Sequence, residues 1–219
     1  MGERKTAPYG SWESPIRAEA ITRGTIGLSQ VILDGQDAYW AELRPNEGGR
    51  YAVVRCTADG DLLDVLPAGD NARTRVHEYG GGSYFPAGES VFYSNFADQR
   101  IYRVSRDSAR AEAITPEVPM RYADAVWDDR RRRLICVRED HAGPGEAVNT
   151  IVAVDPVAAD AGSILVEGGD FYAAPRVSPN GSHLAWLTWN HPDMPWDAAA
   201  LWIAPISEDG SLGPATHVA

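Results

Sequence analysis

The stretch from Arg73 to Gly82 is the most unusual loop of the sequence. Arg75, His77, Glu78 and Tyr79 lie within five positions, and three glycines follow them. The glycines allow the backbone a positive φ or a close approach to a neighbouring segment. Two interpretations stay open. Either Glu78 or Tyr79 holds the amino end of a ligand, or His77 and Glu78 fix the loop to its neighbour through buried hydrogen bonds. The second histidine of the zinc motif H-E-x-x-H is missing.

A second candidate is the aromatic loop Trp189–Trp196, which contains Pro192 and Pro195. Each proline restricts its own φ and the conformation of the residue before it, so the loop should be rigid. Its tryptophans could line a channel for a peptide or brace a domain interface. Alternatively, the loop is a packed corner in which the carboxylate of Asp197 accepts hydrogen bonds from backbone amides.

Other kinds of chemistry find little support. No nucleophile elbow G-x-S-x-G occurs in the 219 residues, and no cluster has metal-ligand spacing, so we expect neither metal nor cofactor. A net charge of −11, from 20 basic and 31 acidic residues, argues against nucleic acid and anionic membranes as partners. The run Asp128–Arg133 is interpreted as a hairpin tip with solvated arginines. Cys56 and Cys136 are interpreted as buried free thiols, with a disulfide as the alternative.

The elements that must position these loops recur at a regular interval. Strand candidates begin fifty residues apart, at Tyr51, Ile101, Ile151 and Leu201, and the order of strands and turns recurs in each period. In the last period the turn is Ser-Pro-Asn-Gly, at Ser178–Gly181. A unit of four short strands repeated over about 40–50 residues is typical of a β-propeller, whereas a β-sandwich requires no repeated order. We therefore predict an all-β propeller of about four four-stranded antiparallel blades.

Three observations indicate that residues 1–219 are a partial propeller, an incomplete ring. Four blades is the small end of known rings, and the sequence ends at Ala219 inside a predicted outer strand. The pentapeptide Ala-Glu-Ala-Ile-Thr occurs at 18–22 and again at 111–115, where the outer strand of the second unit is expected. The first copy is then an outer strand without its own blade. Because an incomplete ring exposes blade faces, we expect the isolated chain to self-associate.

Several stretches resemble the N-terminal propeller of the prolyl oligopeptidase family of serine peptidases. The likeness is strongest to its bacterial dipeptidyl-aminopeptidase and acylaminoacyl-peptidase-like members. The resemblance spans nearly the whole chain and rests on four segments: Ala7–Ile16, Arg44–Arg50, Arg73–Gly82 and Trp189–Asp197. Val-His-Glu-Tyr-Gly-Gly-Gly and Trp-Asn-His-Pro-x-Met-Pro-Trp-Asp are the specific motifs, whereas the Ser-Pro-Asn-Gly turn is common to many propellers.

The resemblance implies a function. In this family the propeller covers a C-terminal α/β-hydrolase domain that carries a Ser-Asp-His triad, and that domain is absent from these residues. The resemblance implies a serine peptidase that hydrolyses short peptides. We expect it to be cytoplasmic because the N-terminus has no apolar h-region and no run approaches 18 apolar residues. The propeller would act as a gate and would not itself be catalytic. The expected substrate-binding residues are Arg75, Glu78, Tyr79 and Trp196. The alternative is a stand-alone, non-enzymatic propeller that binds a protein or peptide.

Overall fold

The computed structural model describes residues 6–11, 14, 16–17, 24–106, 108 and 110–219. In this part of the chain sixteen strands form four antiparallel sheets of four strands each, which we call blades 1 to 4. Blade 1 consists of β1 (Gly27–Asp34), β2 (Asp37–Arg44), β3 (Arg50–Cys56) and β4 (Leu62–Asp64). Blade 2 consists of β5 (Tyr84–Ala87), β6 (Ser90–Ser94), β7 (Ile101–Ser105) and β8 (Ala111–Ala113).

Blade 3 consists of β9 (Met120–Asp128), β10 (Arg133–Asp140), β11 (Val148–Val154) and β12 (Ser163–Val166). Blade 4 consists of β13 (Phe171–Val177), β14 (His183–Trp189), β15 (Ala200–Pro205) and β16 (Thr216–His217). A 3-10 turn, Pro45–Glu47, lies between β2 and β3, and one short helix, α1 (Pro195–Ala198), lies between β14 and β15.

The blades are arranged around a common axis. Within each blade the strands pair in chain order, and the first strands, β1, β5, β9 and β13, line a central channel of about 600 Å³. Each first strand is therefore the innermost strand of its blade. This arrangement confirms the predicted all-β propeller of about four four-stranded antiparallel blades.

Short turns close the hairpins where the sequence places its turn residues. Asp34 and Asp37 are the last paired residues of the β1–β2 hairpin, and Gly35 between them has a φ of 65°. In the β13–β14 hairpin the N–H of Gly181 donates to the carbonyl of Ser178 at 2.8 Å, and Gly181 has a φ of 67°. Glycine adopts such values without steric cost, so these turns are encoded locally.

Apolar clusters join successive blades. Blades 1 and 2 share a core that includes Tyr39, Val53, Tyr84 and Tyr93. Blades 2 and 3 share a second core that includes Phe92, Tyr122, Leu134 and Val154. Blades 3 and 4 share a third core, built mainly from Ile135, Ile151, Tyr172, Leu184 and Trp186. Burial of this apolar surface between sheets is the main stabilisation of the stack.

Blade 1 has an uncovered apolar surface. In the described residues no fourth core of this kind joins blade 4 to blade 1. On β1 the side chains of Leu28, Val31 and Leu33 are 68%, 70% and 76% exposed. Large apolar side chains of an inner strand are normally covered by a neighbouring blade. The surface of blade 1 formed by Leu28, Val31 and Leu33, which we call the open face, therefore lacks the apolar core that joins the other blades, although Val31 and Leu33 also border the central channel.

The interpretation of Asp128–Arg133 as a tip with solvated arginines is wrong for two of the four arginines. The side chain of Asp128 is fully buried and pairs with Arg131 at 3.2 Å and with Arg133 at 3.1 Å. Arg131 also donates to the carbonyls of Gly181 and Ser207 in blade 4, at 2.9 and 2.7 Å. The hairpin tip is thus an ionic clamp between blades 3 and 4. Only the remaining two arginines extend into solvent.

Three smaller predictions have different outcomes. Cys56 and Cys136 are free thiols, but Cys56 is only half-buried, whereas Cys136 is buried and its pKa is raised by burial to about 12. The predicted outer strand at 111–115 is β8, whereas the matching segment 18–22 lies outside the described residues. In the described part of the chain no helix is long and apolar enough to span a membrane.

Candidate functional site

A polar pocket of about 700 Å³ lies at the end of the propeller where β9 and β13 begin and β10 ends. We call it the His77 pocket. The loop before blade 2 meets blades 3 and 4 there, and the polar and aromatic side chains that line it are His77, Glu78, Arg121, Glu139, His141, Glu146, Asn149, Asp170, Phe171 and His191. It combines side chains from segments that are far apart in the sequence.

The loop from Arg73 to Gly82 reaches the pocket through an unusual backbone. His77 and Glu78 have φ values of 57° and 64°, and Gly80 has a φ of 95°. Left-handed backbone is rare for residues with a side chain and costs energy unless the surroundings hold it in place. Two turn hydrogen bonds contribute, from Glu78 N to the Arg75 carbonyl at 2.9 Å and from Gly80 N to the Val76 carbonyl at 2.8 Å.

Glu139, near the end of β10, is the charged group in the floor of the pocket. Its side chain is only 5% exposed. One carboxylate oxygen accepts a hydrogen bond from the backbone N–H of His77 at 2.6 Å, and the other lies 3.0 Å from Nε2 of His141 and 3.7 Å from Arg121. Burial raises the pKa of Glu139, but hydrogen bonds from His77 and His141 outweigh it, so the pKa lies below its ordinary value. The floor therefore carries a negative charge.

The His77 side chain fastens the loop to blade 4. Its Nε2 lies 2.9 Å from the carbonyl oxygen of Tyr172. The imidazole also packs edge-on against Phe171 and Trp189, with ring centroids 5.5 and 5.3 Å away. The interpretation that His77 and Glu78 tie this loop to its neighbour through buried hydrogen bonds is therefore correct for His77 and wrong for Glu78, whose side chain is 80% exposed.

Of the predicted substrate-binding residues, Glu78 lines the pocket, whereas Tyr79, next to it in the loop, lies outside the lining. The Glu78 side chain is 80% exposed, and its carboxylate pairs with Arg121 at 2.6 Å. Tyr79 is also exposed, and its ring lies 5.7 Å from that of His77. Arg75 lies outside the pocket lining and places its guanidinium 4.4 Å from the centroid of the Phe96 ring. Glu78 is thus the predicted residue that a ligand in the pocket could contact, and Tyr79 is its exposed neighbour.

The aromatic loop divides into a buried part and an exposed part. Trp189 is buried and stacks on Phe171 with a centroid distance of 5.4 Å. Trp196 is exposed on α1, outside the pocket lining. Asp197 accepts a hydrogen bond from Met194 N at 3.2 Å, as the packed-corner interpretation predicted. Trp189 therefore supports the pocket wall, and Trp196 offers a free indole at the surface nearby.

The electrostatics of the pocket favour a cationic ligand. Glu78, Glu139, Glu146 and Asp170 contribute four carboxylates, against one guanidinium from Arg121. No serine, threonine or cysteine lines the pocket in the described residues, which also contain no cluster of His, Cys, Asp and Glu side chains that could hold a metal ion. The pocket can bind and orient a ligand, but it offers no nucleophile for acyl transfer.

Sequence reasoning missed Glu139, although one signal was available. The strand β10 reads Arg-Leu-Ile-Cys-Val-Arg-Glu-Asp, and its interior charged residues Arg138 and Glu139 are both buried. A charged residue inside an apolar strand has to be paired or hydrogen-bonded. That rule marks Glu139 as a candidate, but it does not indicate that the partner would be the backbone of His77.

Comparison with solved structures identifies similar proteins. A puromycin-hydrolysing peptidase of Mycobacterium tuberculosis superposes on 98% of this chain with a TM-score of 0.87 and 39% sequence identity. A puromycin hydrolase superposes on 98% with a TM-score of 0.86 and 35% identity. An acylaminoacyl peptidase of Pyrococcus horikoshii, at 11% identity and a TM-score of 0.58, shares the fold. Comparison with protein-family models and with curated proteins gave no match.

This chain spans only part of those relatives. It covers 35% of the length of each of the two puromycin-hydrolysing proteins. The resemblance to the propeller region of a prolyl oligopeptidase family serine peptidase is confirmed.

Proposed function

We propose that this chain is the substrate-selecting propeller of a cytoplasmic serine peptidase that hydrolyses short peptides. The chain matches the propeller part of puromycin-hydrolysing peptidases over 98% of its own length and 35% of theirs. The remaining two thirds of such a protein leave room for a C-terminal α/β-hydrolase domain. That domain would supply the serine nucleophile and its triad, because the 219 residues contain no G-x-S-x-G.

The observation that carries the proposal is the acidic His77 pocket at one end of the propeller. A peptide with a free amino end presents an ammonium group, which donates hydrogen bonds and carries a positive charge. The Glu78 carboxylate is exposed, yet Arg121 holds it at 2.6 Å, so it is positioned before a ligand arrives. We assign the amino end of the peptide to Glu78, and the neighbouring phenol of Tyr79 to the first residue.

Arg75 and Trp196 would act further along the peptide. Both lie outside the pocket lining and are exposed, Arg75 on the loop that carries Glu78 and Trp196 on α1. An exposed indole can pack on an apolar side chain or brace the hydrolase domain. The propeller would exclude folded proteins by size, so that only short or unfolded peptides reach the serine.

The test uses the full-length protein, that is, this propeller with the chain that follows it in its gene. We expect hydrolysis of puromycin and of dipeptide anilides with a free amino end. Glu78→Gln should raise KM for these substrates about tenfold, the loss of about 1.4 kcal/mol from one charge-assisted contact. Amino-acetylated substrates should be unaffected by the substitution.

Glu208→Gln is the matched control, because Glu208 is exposed on a hairpin turn of blade 4 and pairs with Arg130, itself half-exposed, at 3.4 Å. A full-length protein that carries an intact triad but cleaves no peptide would overturn the proposal. Peptide binding without cleavage, in a protein whose gene encodes no G-x-S-x-G, would instead favour the stand-alone binding propeller.

A further inference from the structure

The His77–Glu78 backbone requires support from outside its own loop. Both residues have a left-handed backbone conformation with a positive φ, and neither is a glycine. The turn hydrogen bonds inside the loop engage the N–H groups of Glu78 and Gly80. They leave the N–H of His77 for another partner. An N–H that is partly shielded from water needs an acceptor, and here the described hydrogen bonds give it none from the loop itself.

Glu139 supplies that acceptor from blade 3, 62 positions further along the chain. Its oxygen lies 2.6 Å from His77 N and 3.4 Å from Nδ1 of the same residue. A carboxylate accepts such bonds more strongly than a neutral group does. The other carboxylate oxygen lies 3.0 Å from Nε2 of His141, so both oxygens of Glu139 are held in place.

The Glu139 carboxylate also influences the position of Glu78, through Arg121. Arg121 lies 3.7 Å from Glu139 and 2.6 Å from Glu78, so the guanidinium bridges a buried and an exposed carboxylate. Glu139 therefore acts on two successive residues, on His77 through its backbone and on Glu78 through Arg121. The result is a rigid support beneath two side chains, Glu78 and Tyr79, that remain exposed.

We propose that Glu139 is a positioning residue that fixes the left-handed His77–Glu78 backbone and thereby aims Glu78 and Tyr79 at the substrate. The inference rests on the proposed function for its consequence in catalysis, since it assumes that Glu78 and Tyr79 bind peptide. Its structural part, the anchoring of the loop by Glu139, stands independently of any peptidase activity.

The structural part is tested on this chain by amide hydrogen exchange. In Glu139→Ala the His77 amide should exchange at least about tenfold faster than in the unsubstituted chain, while amides in the centre of β6 keep their rates. Glu208→Ala, the matched control, should change neither. Unchanged exchange at His77 in a folded Glu139→Ala variant would overturn the anchoring.

The consequence for substrate is tested on the full-length protein by separating KM from kcat. We expect KM for free-amino peptides to rise from the unsubstituted protein to the Glu139→Gln variant and again to the Glu139→Ala variant. The last step should be about tenfold, with kcat unchanged throughout. A merely structural role would lower the active fraction, and hence apparent kcat, without moving KM. Either that result or an unchanged KM in both variants would overturn the inference.

Two safeguards keep the outcome interpretable. Glu139→Gln retains an amide oxygen that can accept a hydrogen bond from His77 N. The KM measurement can therefore be made on this variant if Glu139→Ala does not fold. If the unsubstituted full-length protein cleaves no peptide, the proposed function fails, and the exchange measurement still decides whether Glu139 anchors the loop.

Discussion

Asp124 and Gly82 join the inner strand of blade 3 to the start of blade 2 by two reciprocal hydrogen bonds. The Asp124 carboxylate accepts from Gly82 N, and the Gly82 carbonyl accepts from Asp124 N at 2.7 Å. The second carboxylate oxygen of Asp124 accepts from Ala174 N of blade 4 at 2.9 Å. Asp124 has a φ of 56°, and Ala174 repeats this left-handed bulge with a φ of 50°. One side chain thus connects three blades near the axis.

Gly82→Ala should destabilise the propeller. A Cβ at this position would lie 2.9 Å from the Asp124 carboxylate oxygen and 3.4 Å from its Cα. The carboxylate cannot move away without giving up its bonds to both neighbouring blades. We expect a loss of about 1–3 kcal/mol in the free energy of unfolding, measured by denaturant titration. Gly143→Ala is the control, because a Cβ there meets nothing within 4 Å. Equal stability of the two variants would contradict this explanation.

Asp128→Asn should be far more costly than Asp129→Asn, although the two positions are adjacent. The Asp128 side chain is 0% exposed and pairs with Arg131 and Arg133, whereas Asp129 pairs with Arg132 at the surface. Breaking a buried ion pair costs about 3–5 kcal/mol, and an exposed pair contributes about 0–1 kcal/mol. Thermal unfolding of both variants measures the difference. A small effect at Asp128 would show that the clamp between blades 3 and 4 contributes little.

The repeated strands could be predicted from the sequence because their signals are local. Turn residues such as Gly35 and Gly181 stand where the chain must reverse, and apolar runs on both sides form the strands. The fifty-residue interval then orders the strands into blades without knowledge of any contact. The fold class and the blade boundaries follow from such information.

The floor of the His77 pocket could not be predicted in the same way. The bond from His77 N to Glu139 joins residues 62 positions apart, and local patterns carry no information on which segments meet. The arginines after Asp128 were misinterpreted for the same reason, since their acceptors at Gly181 and Ser207 belong to blade 4. Glu78 and Tyr79 could be proposed from the sequence because their loop is unusual in composition, which is a local signal.

The isolated chain should self-associate through the open face of blade 1. An exposed apolar row on an inner strand is formed by Leu28, Val31 and Leu33. Covering such a surface removes it from water and lowers the free energy, which favours association. We expect sedimentation velocity to show dimers or larger species whose fraction rises with concentration. Combined replacement of Leu28 and Leu33 by Thr should shift the population towards monomer, whereas Val157→Thr, at another exposed site, should not. A compact monomer at all concentrations would contradict the prediction.

The stabilisation due to Glu139 should disappear in acid. Burial raises the pKa of Glu139, but the hydrogen bonds from His77 and His141 lower it by more. The pKa in the folded chain therefore lies below the ordinary value of 4.5. A carboxyl group with a lowered pKa in the folded state contributes its full stability above the ordinary pKa, and this is lost as the pH falls through the folded value. The melting temperature of Glu139→Gln should therefore lie below that of the unsubstituted chain at pH 6, and the gap should narrow below pH about 4. Glu117→Gln, at an exposed position, is the control and should show no such narrowing. A gap that stays constant from neutral pH to strong acid would mean that the Glu139 charge does not stabilise the loop.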